Sequence, residues 1–175
     1  MARNIEIKAR IPSIEAVASL AAPIADEGPV EIAQDDTFFT CPNGRLKLRC
    51  FADGHGELIY YQRSDQAGPK ESFYLRTRID TPDVLRESLA LAWGIGGRVI
   101  KQRLLYLVGQ TRIHLDDVQG LGSFLELEVV LRDDQSVQDG EREAQRIMQL
   151  LQIAPSQLVE VAYVDLLREK AGAAR

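Results

Sequence analysis

The chain has 175 residues, with 21 Lys and Arg against 26 Asp and Glu for a net charge of −5, 45% apolar residues and two cysteines. Such a length suits one domain with a real core, expected to span residues 1–175; the charge balance argues against a surface that coats extended nucleic acid; and no apolar run approaches the ~18 residues of a membrane-spanning helix. Neither Cys41 nor Cys50 lies in a CxxC or Cys/His cluster, so a thiolate zinc site or a disulfide framework is not expected.

The opening Met1-Ala2-Arg3-Asn4 leads straight into a strand pattern and carries neither the charged nor the apolar part of a secretory signal, so a cytoplasmic location is expected. Residues 4–11 alternate, with Glu6, Lys8 and Arg10 on one face and Ile5, Ile7 and Ala9 on the other. Pro12-Ser13 ends that strand, and Ser13 can cap a helix over 13–25 with Pro23 as a break near its end. The tract 22–32, rich in Pro, Gly and acids, reads as a loop. A short strand over 36–40, the Asn43-Gly44 hairpin signal and a return strand over 45–51 follow. The turn at Asp53-Gly54-His55-Gly56 introduces a strand over 57–63, and a polar loop over 64–70 precedes a strand over 72–79.

Thr81 as N-cap, Pro82 at the first helical position and Gly94 just past the end predict a helix whose buried stripe is Leu85, Leu89 and Trp93; Phe38, Phe39 and Trp93 are assigned to the core. Strands over 97–108, 111–118 and 123–131 are linked by tight turns. A polar linker over 133–140 leads to an amphipathic helix over 141–151. A last helix is predicted over 156–170, because Leu158, Val161, Val164 and Leu167 recur at helical spacing. Eight strands joined mostly by tight turns give an α+β chain: an antiparallel sheet or closed barrel with helices packed outside.

The polar faces of these strands carry Lys8, Arg10, Lys47, Arg49, Arg63, Arg76, Arg78, Lys101, Arg103 and Arg112, ten of the 21 Lys and Arg, and fewer acids: Glu6, Asp116, Glu126 and Glu128. A solvated sheet face is one reading. It would usually mix both signs, because like charges directly opposite one another are destabilising. The other reading closes the sheet so that this face lines a polar tunnel. Crowded cations there would suit a polyphosphate, whose oxygens accept charge-assisted hydrogen bonds. Carboxylates at strand spacing add the hard oxygen ligands that Mg²⁺ or Mn²⁺ takes.

Asn4-Ile5-Glu6-Ile7-Lys8, Leu46-Lys47-Leu48-Arg49, Lys101-Gln102-Arg103 and the block from Ile113 to Glu128 (Ile113-His114-Leu115-Asp116 through Phe124-Leu125-Glu126-Leu127-Glu128) stand in the order of an E-x-E-x-K opening, a basic second segment, paired cations and an Asp, Leu-Gly and E-x-E block. With Tyr163-Val164-Asp165-Leu166-Leu167 near the end, this set resembles the CYTH family, the triphosphate tunnel metalloenzymes, and within it the class IV adenylyl cyclase branch. The resemblance implies an eight-stranded antiparallel tunnel, a divalent metal (Mg²⁺ or Mn²⁺) and a small-molecule triphosphate substrate: ATP, tripolyphosphate or thiamine triphosphate. It implies metal ligation by Glu6, Glu126 and Glu128 with Asp116 helping, and phosphate contacts from Lys8, Lys47, Arg49, Arg63, Lys101, Arg103 and Arg112. Lys8, Arg63, Lys101, Arg103 and Asp116 are the residues it makes catalytic. Asn4 departs from the pattern, standing where the family has its first Glu and offering one carbonyl oxygen without charge.

Three functions compete: cyclisation of ATP to cyclic AMP and pyrophosphate, hydrolysis of a terminal phosphate, and non-catalytic binding of a triphosphate or nucleotide. A homodimer is compatible with all three. His114 falls on the Arg112 and Asp116 face, as a general base or as a structural imidazole. Arg10, Arg76 and Arg78 are tunnel residues or solvated ones, Tyr60 and Tyr61 take opposite faces, and Asp117 is a surface or turn position.

Overall fold

The computed structural model describes residues 2–63 and 68–174. Strands β1 (Ala2–Arg10), β2 (Glu27–Phe39), β3 (Arg45–Phe51), β4 (Gly56–Arg63), β5 (Lys70–Ile79), β6 (Ile95–Val108), β7 (Thr111–Val118) and β8 (Gly122–Val130) form a closed barrel in the order β1-β5-β4-β3-β2-β6-β7-β8. Every pairing is antiparallel, which the tight turns require of β2–β3, β3–β4, β6–β7 and β7–β8. The expected tunnel architecture is therefore the observed one.

Helices α1 (Ile14–Ala21), α2 (Pro82–Trp93), α3 (Val137–Leu150) and α4 (Tyr163–Ala173) pack on its outside and across one end. The barrel reverses the usual polarity of a β protein, its apolar faces pointing outward under helices. Ile7, Ala9, Ile113, Leu115, Leu125 and Leu127 from β1, β7 and β8 are buried against Val17 and Ala21 of α1 and Ile147 and Met148 of α3. Gly140 lets α3 lie close: a Cβ there would stand 2.5 Å from Ile5 Cγ1.

Four elements differ by more than two residues from the sequence reading, each for a physical reason. β2 begins at Glu27 inside the expected loop, because pairing with β6 (Val30 opposite Leu105, Ile32 opposite Arg103) overrides the local Gly-Pro signal, which is absorbed as a register shift between Glu27 and Val30. α1 ends at Ala21, and Pro23 is the second residue of a short 3₁₀ turn, Ala22–Ile24. α3 starts at Val137 within the expected linker, since Ser136 and Asp139 form a capping box. The predicted 156–170 helix is broken: a 3₁₀ turn at Pro155–Gln157 precedes extended chain, in which Leu158 bridges to Ala9 and Val159 N donates to the Lys8 carbonyl at 2.9 Å, and α4 begins only at Tyr163.

In α2, Leu85 and Leu89 pack on Phe39, Leu46 and Leu48 as read, but Trp93 is 52% exposed. Trp93 is the helix's last residue, and Gly94, with φ of 79°, turns the chain away toward β6. Thr81 holds the N-cap position without a side-chain capping bond. No helix among the described residues is long and apolar enough to cross a membrane.

Candidate active site

Strand alternation turns Asn4, Glu6 and Lys8 of β1 inward together with Gln34, Asp36 and Phe38 of β2, and likewise around the barrel. They enclose a cavity of about 420 Å³ lined by Glu6, Lys8, Lys47, Arg49, Lys101, Arg103, Arg112, Glu126 and Glu128 among others. One end is stopped. There the inward residues become Phe38, Val99, Val118 and Phe124, against which Ala162, Tyr163 and Val164 pack. Helix α4 is tied down there by Arg45 to Asp165 at 2.6 Å and by Lys170 to the Gly120 carbonyl at 2.6 Å.

The cations are organised by two buried aspartates. Lys101 and Arg103, two residues apart on β6, share a face, and Arg103 lies opposite Asp116 of β7. Asp116 accepts from Arg103 Nε at 2.6 Å and Nη2 at 2.7 Å, from Lys101 Nζ at 3.1 Å and from the Tyr163 hydroxyl at 3.0 Å. The same pattern recurs on the neighbouring wall. Arg49 lies opposite Asp36, which accepts from Arg49 Nε and Nη2 at 2.7 and 2.8 Å and from Lys47 Nζ at 2.7 Å. Each guanidinium spends two of its five N–H donors on its aspartate, and that fork fixes the plane of the remainder.

Glu126, opposite Lys8, meets Lys8 Nζ at 3.2 Å and Arg103 Nη2 at 2.9 Å. Glu128, opposite Arg112 on one side and Glu6 on the other, accepts from Arg112 Nη1 at 3.1 Å and from Asn4 Nδ2 at 2.5 Å, and lies 3.4 Å from His114 Nε2. Asn4 Nδ2 also reaches Glu6 Oε1 at 3.5 Å.

Charge sets protonation here. Burial alone would raise the carboxyl pKa values, but Arg49 and Lys47 hold Asp36 well below the usual carboxylate range, Arg103 and Lys101 do so for Asp116, and Lys8 does so for Glu126. Glu128, against the same opposing effect of burial, is brought to about 2 by His114 and Arg112. Burial, reinforced by Arg49, lowers the Lys47 ammonium to about 7. Burial and Arg103 lower Lys101, and burial with Arg103 also keeps His114 below its ordinary value.

These shifts give stability a pH dependence with a definite sign. The carboxylates bind protons less readily folded than unfolded, so their contribution is complete above the unfolded values and is lost as pH falls through the folded ones; for Glu128 the window runs from about 4.5 to about 2. Lys47 acts with the same sign: its folded value also lies below its unfolded one, so a destabilising penalty that is full below about pH 7 is relieved as pH rises toward 10.5. Thermal unfolding followed from pH 2 to pH 10 is expected to show a midpoint that climbs across both windows. A flat profile would contradict the charge arrangement.

The residues singled out from sequence are distributed as follows. Glu6, Lys8, Lys47, Arg49, Lys101, Arg103, Arg112, His114, Glu126 and Glu128 line the one cavity, and Asp116 lies buried behind Lys101 and Arg103. Arg63 closes β4, and the role assigned to its side chain lies outside the described residues. Tyr61 and Arg76 line the cavity, whereas Tyr60 packs in the outer cluster with Leu46 and Leu48. Arg10 sits 4.9 Å from the Phe124 ring and Arg78 pairs with Asp80 at 3.2 Å; neither lines the cavity. Asp117 is exposed.

Cavity groups that the sequence reading does not single out include Asp36, Lys70 and Tyr163. Asp36 alternates in step with Gln34 and Phe38, a signal masked by the loop assigned just before it. The sequence pattern places Lys70 in a polar loop, where the structure starts β5, and Tyr163 in the middle of a helix that it in fact begins.

The four carboxylates read as metal ligands do not form a preassembled cluster, and no three Asp, Glu, His or Cys side chains come together for an ion among the described residues. The four donors on Asp116 make it an orienting group for cations instead. What fits a hard divalent ion is the neighbourhood of Glu6 and Glu128, two carboxylates beside Asn4, whose buried Oδ1 has no hydrogen-bond partner. Two carboxylates with phosphate oxygens completing the shell is the usual way a protein takes Mg²⁺.

A model of the CYTH domain matches residues 2–163. The chain belongs to the CYTH family. Its likeness to solved structures is one of fold at low identity. The PH1012 protein of Pyrococcus horikoshii is 21% identical with a TM-score of 0.83, over 93% of this chain and 98% of that one. A proposed adenylate cyclase of Vibrio parahaemolyticus is 18% identical with a TM-score of 0.77, over 94% and 97%. HpAC1 of Hippeastrum, a proposed adenylyl cyclase described as having a dominant triphosphatase activity, is 18% identical with a TM-score of 0.63, over 97% and 96%. A search of curated proteins found no match.

Proposed function

We propose that this CYTH domain is an Mg²⁺- or Mn²⁺-dependent enzyme that takes ATP with its triphosphate inside the barrel and converts it to cyclic AMP and pyrophosphate. The observation that carries the reading is the convergence of Lys8, Lys47, Arg49, Lys101, Arg103 and Arg112 with Glu6, Glu126 and Glu128 on one cavity of about 420 Å³. Phosphoryl transfer asks chiefly for positioning and charge stabilisation, and cations locked in place by buried aspartates supply both without reorganising as charge develops. Lys47, Arg49, Lys101 and Arg103 bind the phosphate oxygens along the chain, while Arg112 serves the phosphate beside Glu128.

The bond formed joins the ribose 3′-oxygen to the α-phosphorus. Two bonds break: the 3′ O–H bond, whose proton passes to water, and the bond between that phosphorus and the oxygen bridging to the β-phosphate, so that pyrophosphate leaves with the charge that the lysines and arginines neutralise. Glu6 and Glu128, with Asn4 Oδ1 and Glu126 nearby, would hold the divalent ion, which supplies Lewis-acid stabilisation of phosphate charge when bound.

Hydrolysis of a terminal phosphate is the second reading, favoured by the triphosphatase activity described for HpAC1. Incubating the purified protein with ATP, tripolyphosphate and thiamine triphosphate under Mg²⁺ or Mn²⁺, and identifying products by chromatography, tests both. Cyclic AMP with pyrophosphate is the expected outcome. Orthophosphate without cyclic AMP would replace cyclisation by hydrolysis, and triphosphate binding without turnover would leave a non-catalytic binder.

A further inference from the structure

Lys8 and Lys101 come from strands on different parts of the wall, yet both ammonium groups gather over one aromatic ring. Lys8 Nζ lies 4.1 Å and Lys101 Nζ 4.9 Å from the centroid of Tyr163, which is only 5% exposed. Each ammonium has its own carboxylate, Glu126 for Lys8 at 3.2 Å and Asp116 for Lys101 at 3.1 Å, and Lys8 also donates to the Val161 carbonyl at 3.2 Å. The ring is shared by both ammonium groups at these distances, and its negative face attracts both without accepting a proton from either. The ring is itself fixed: Phe124 meets it edge-on at 5.0 Å and 67°, and its hydroxyl donates to Asp116 at 3.0 Å. We propose that Tyr163 is a positioning residue that sets the spacing of the Lys8 and Lys101 ammonium groups at the stopped end of the cavity, and so the grip on the phosphate group that lies deepest.

This inference rests on the triphosphate reading, and it makes the contribution of Tyr163 depend on ligand length. A tripolyphosphate long enough to reach the stopped end feels Lys8 and Lys101 as a pair; pyrophosphate can be held by the remaining cations. The test replaces Tyr163 by Phe and then by mono-, di- and trifluorinated phenylalanines. These keep the ring's shape while draining its negative face, so folding is preserved across the series. Calorimetry on the full chain measures tripolyphosphate and pyrophosphate binding. The expected result is a stepwise loss of tripolyphosphate affinity, about fivefold from Phe to the trifluorinated ring, with pyrophosphate affinity changed far less. A constant tripolyphosphate affinity across the series overturns the proposal, as does an equal loss for both ligands. Wild-type protein that binds neither polyphosphate removes the triphosphate reading itself and this inference with it.

Discussion

Glu128→Ala is expected to abolish metal-dependent turnover, by about 10²–10³-fold, the size of effect found when one preorganised electrostatic group is removed from an active site. Glu128 faces Glu6 across the β1–β8 ladder and shares Asn4 with it, so its loss leaves a single carboxylate where a divalent ion would sit. The fold should survive. Arg112, which loses its partner, is 32% exposed and can turn to water. Steady-state assays with Mg²⁺ and Mn²⁺, beside thermal unfolding of the same samples, measure both halves of the expectation; a stable variant with full activity would take Glu128 out of the site.

The second large effect is on stability. Asp116→Ala leaves Lys101 and Arg103 buried at 3% and 6% side-chain exposure without the carboxylate that holds them both. Removing one partner of a buried ion pair costs about 3–5 kcal/mol, a fall in Tm of roughly 6–20 °C for a chain of this size. Tripolyphosphate is expected to restore more of the lost Tm in this variant than it adds to the wild type, because it brings anionic oxygens to cations that lack one. An unchanged Tm, or a loss that polyphosphate leaves untouched, would show that Asp116 does not hold these charges in place.

Much of this architecture was legible because a strand's period of two is hard to disguise. The alternation in 4–11, 45–51 and 111–118 named both faces of β1, β3 and β7, and Asn43-Gly44, with Gly44 at φ of 70°, marked the β2–β3 hairpin. The excess of cations on those faces pointed inward rather than to solvent. What stayed hidden depends on which strands become neighbours. That Arg49 lies opposite Asp36 and Arg103 opposite Asp116 follows from register between separate strands, which no local pattern states. The first half of β2 read as a loop because Gly28-Pro29 punctuates it, while pairing with β6, some seventy residues onward, is what makes it a strand. Leu158 and Val161 fit helical spacing by coincidence: that stretch crosses the barrel's end extended, its backbone committed to β1 and to lysine side chains.

That last arrangement bears on how the molecule is made. Lys8 emerges from the ribosome early, but the carbonyl of Val161 that accepts from its ammonium group is encoded 153 residues later. At roughly 5–20 residues per second, that separation amounts to about 8–30 s of translation. β1 has also to await both of its ladder neighbours, β5 and β8. The nascent chain therefore cannot finish the barrel interior until residues 158–161 have been synthesised, and a product terminated before residue 158 would carry Lys8 without the carbonyl that receives its ammonium group.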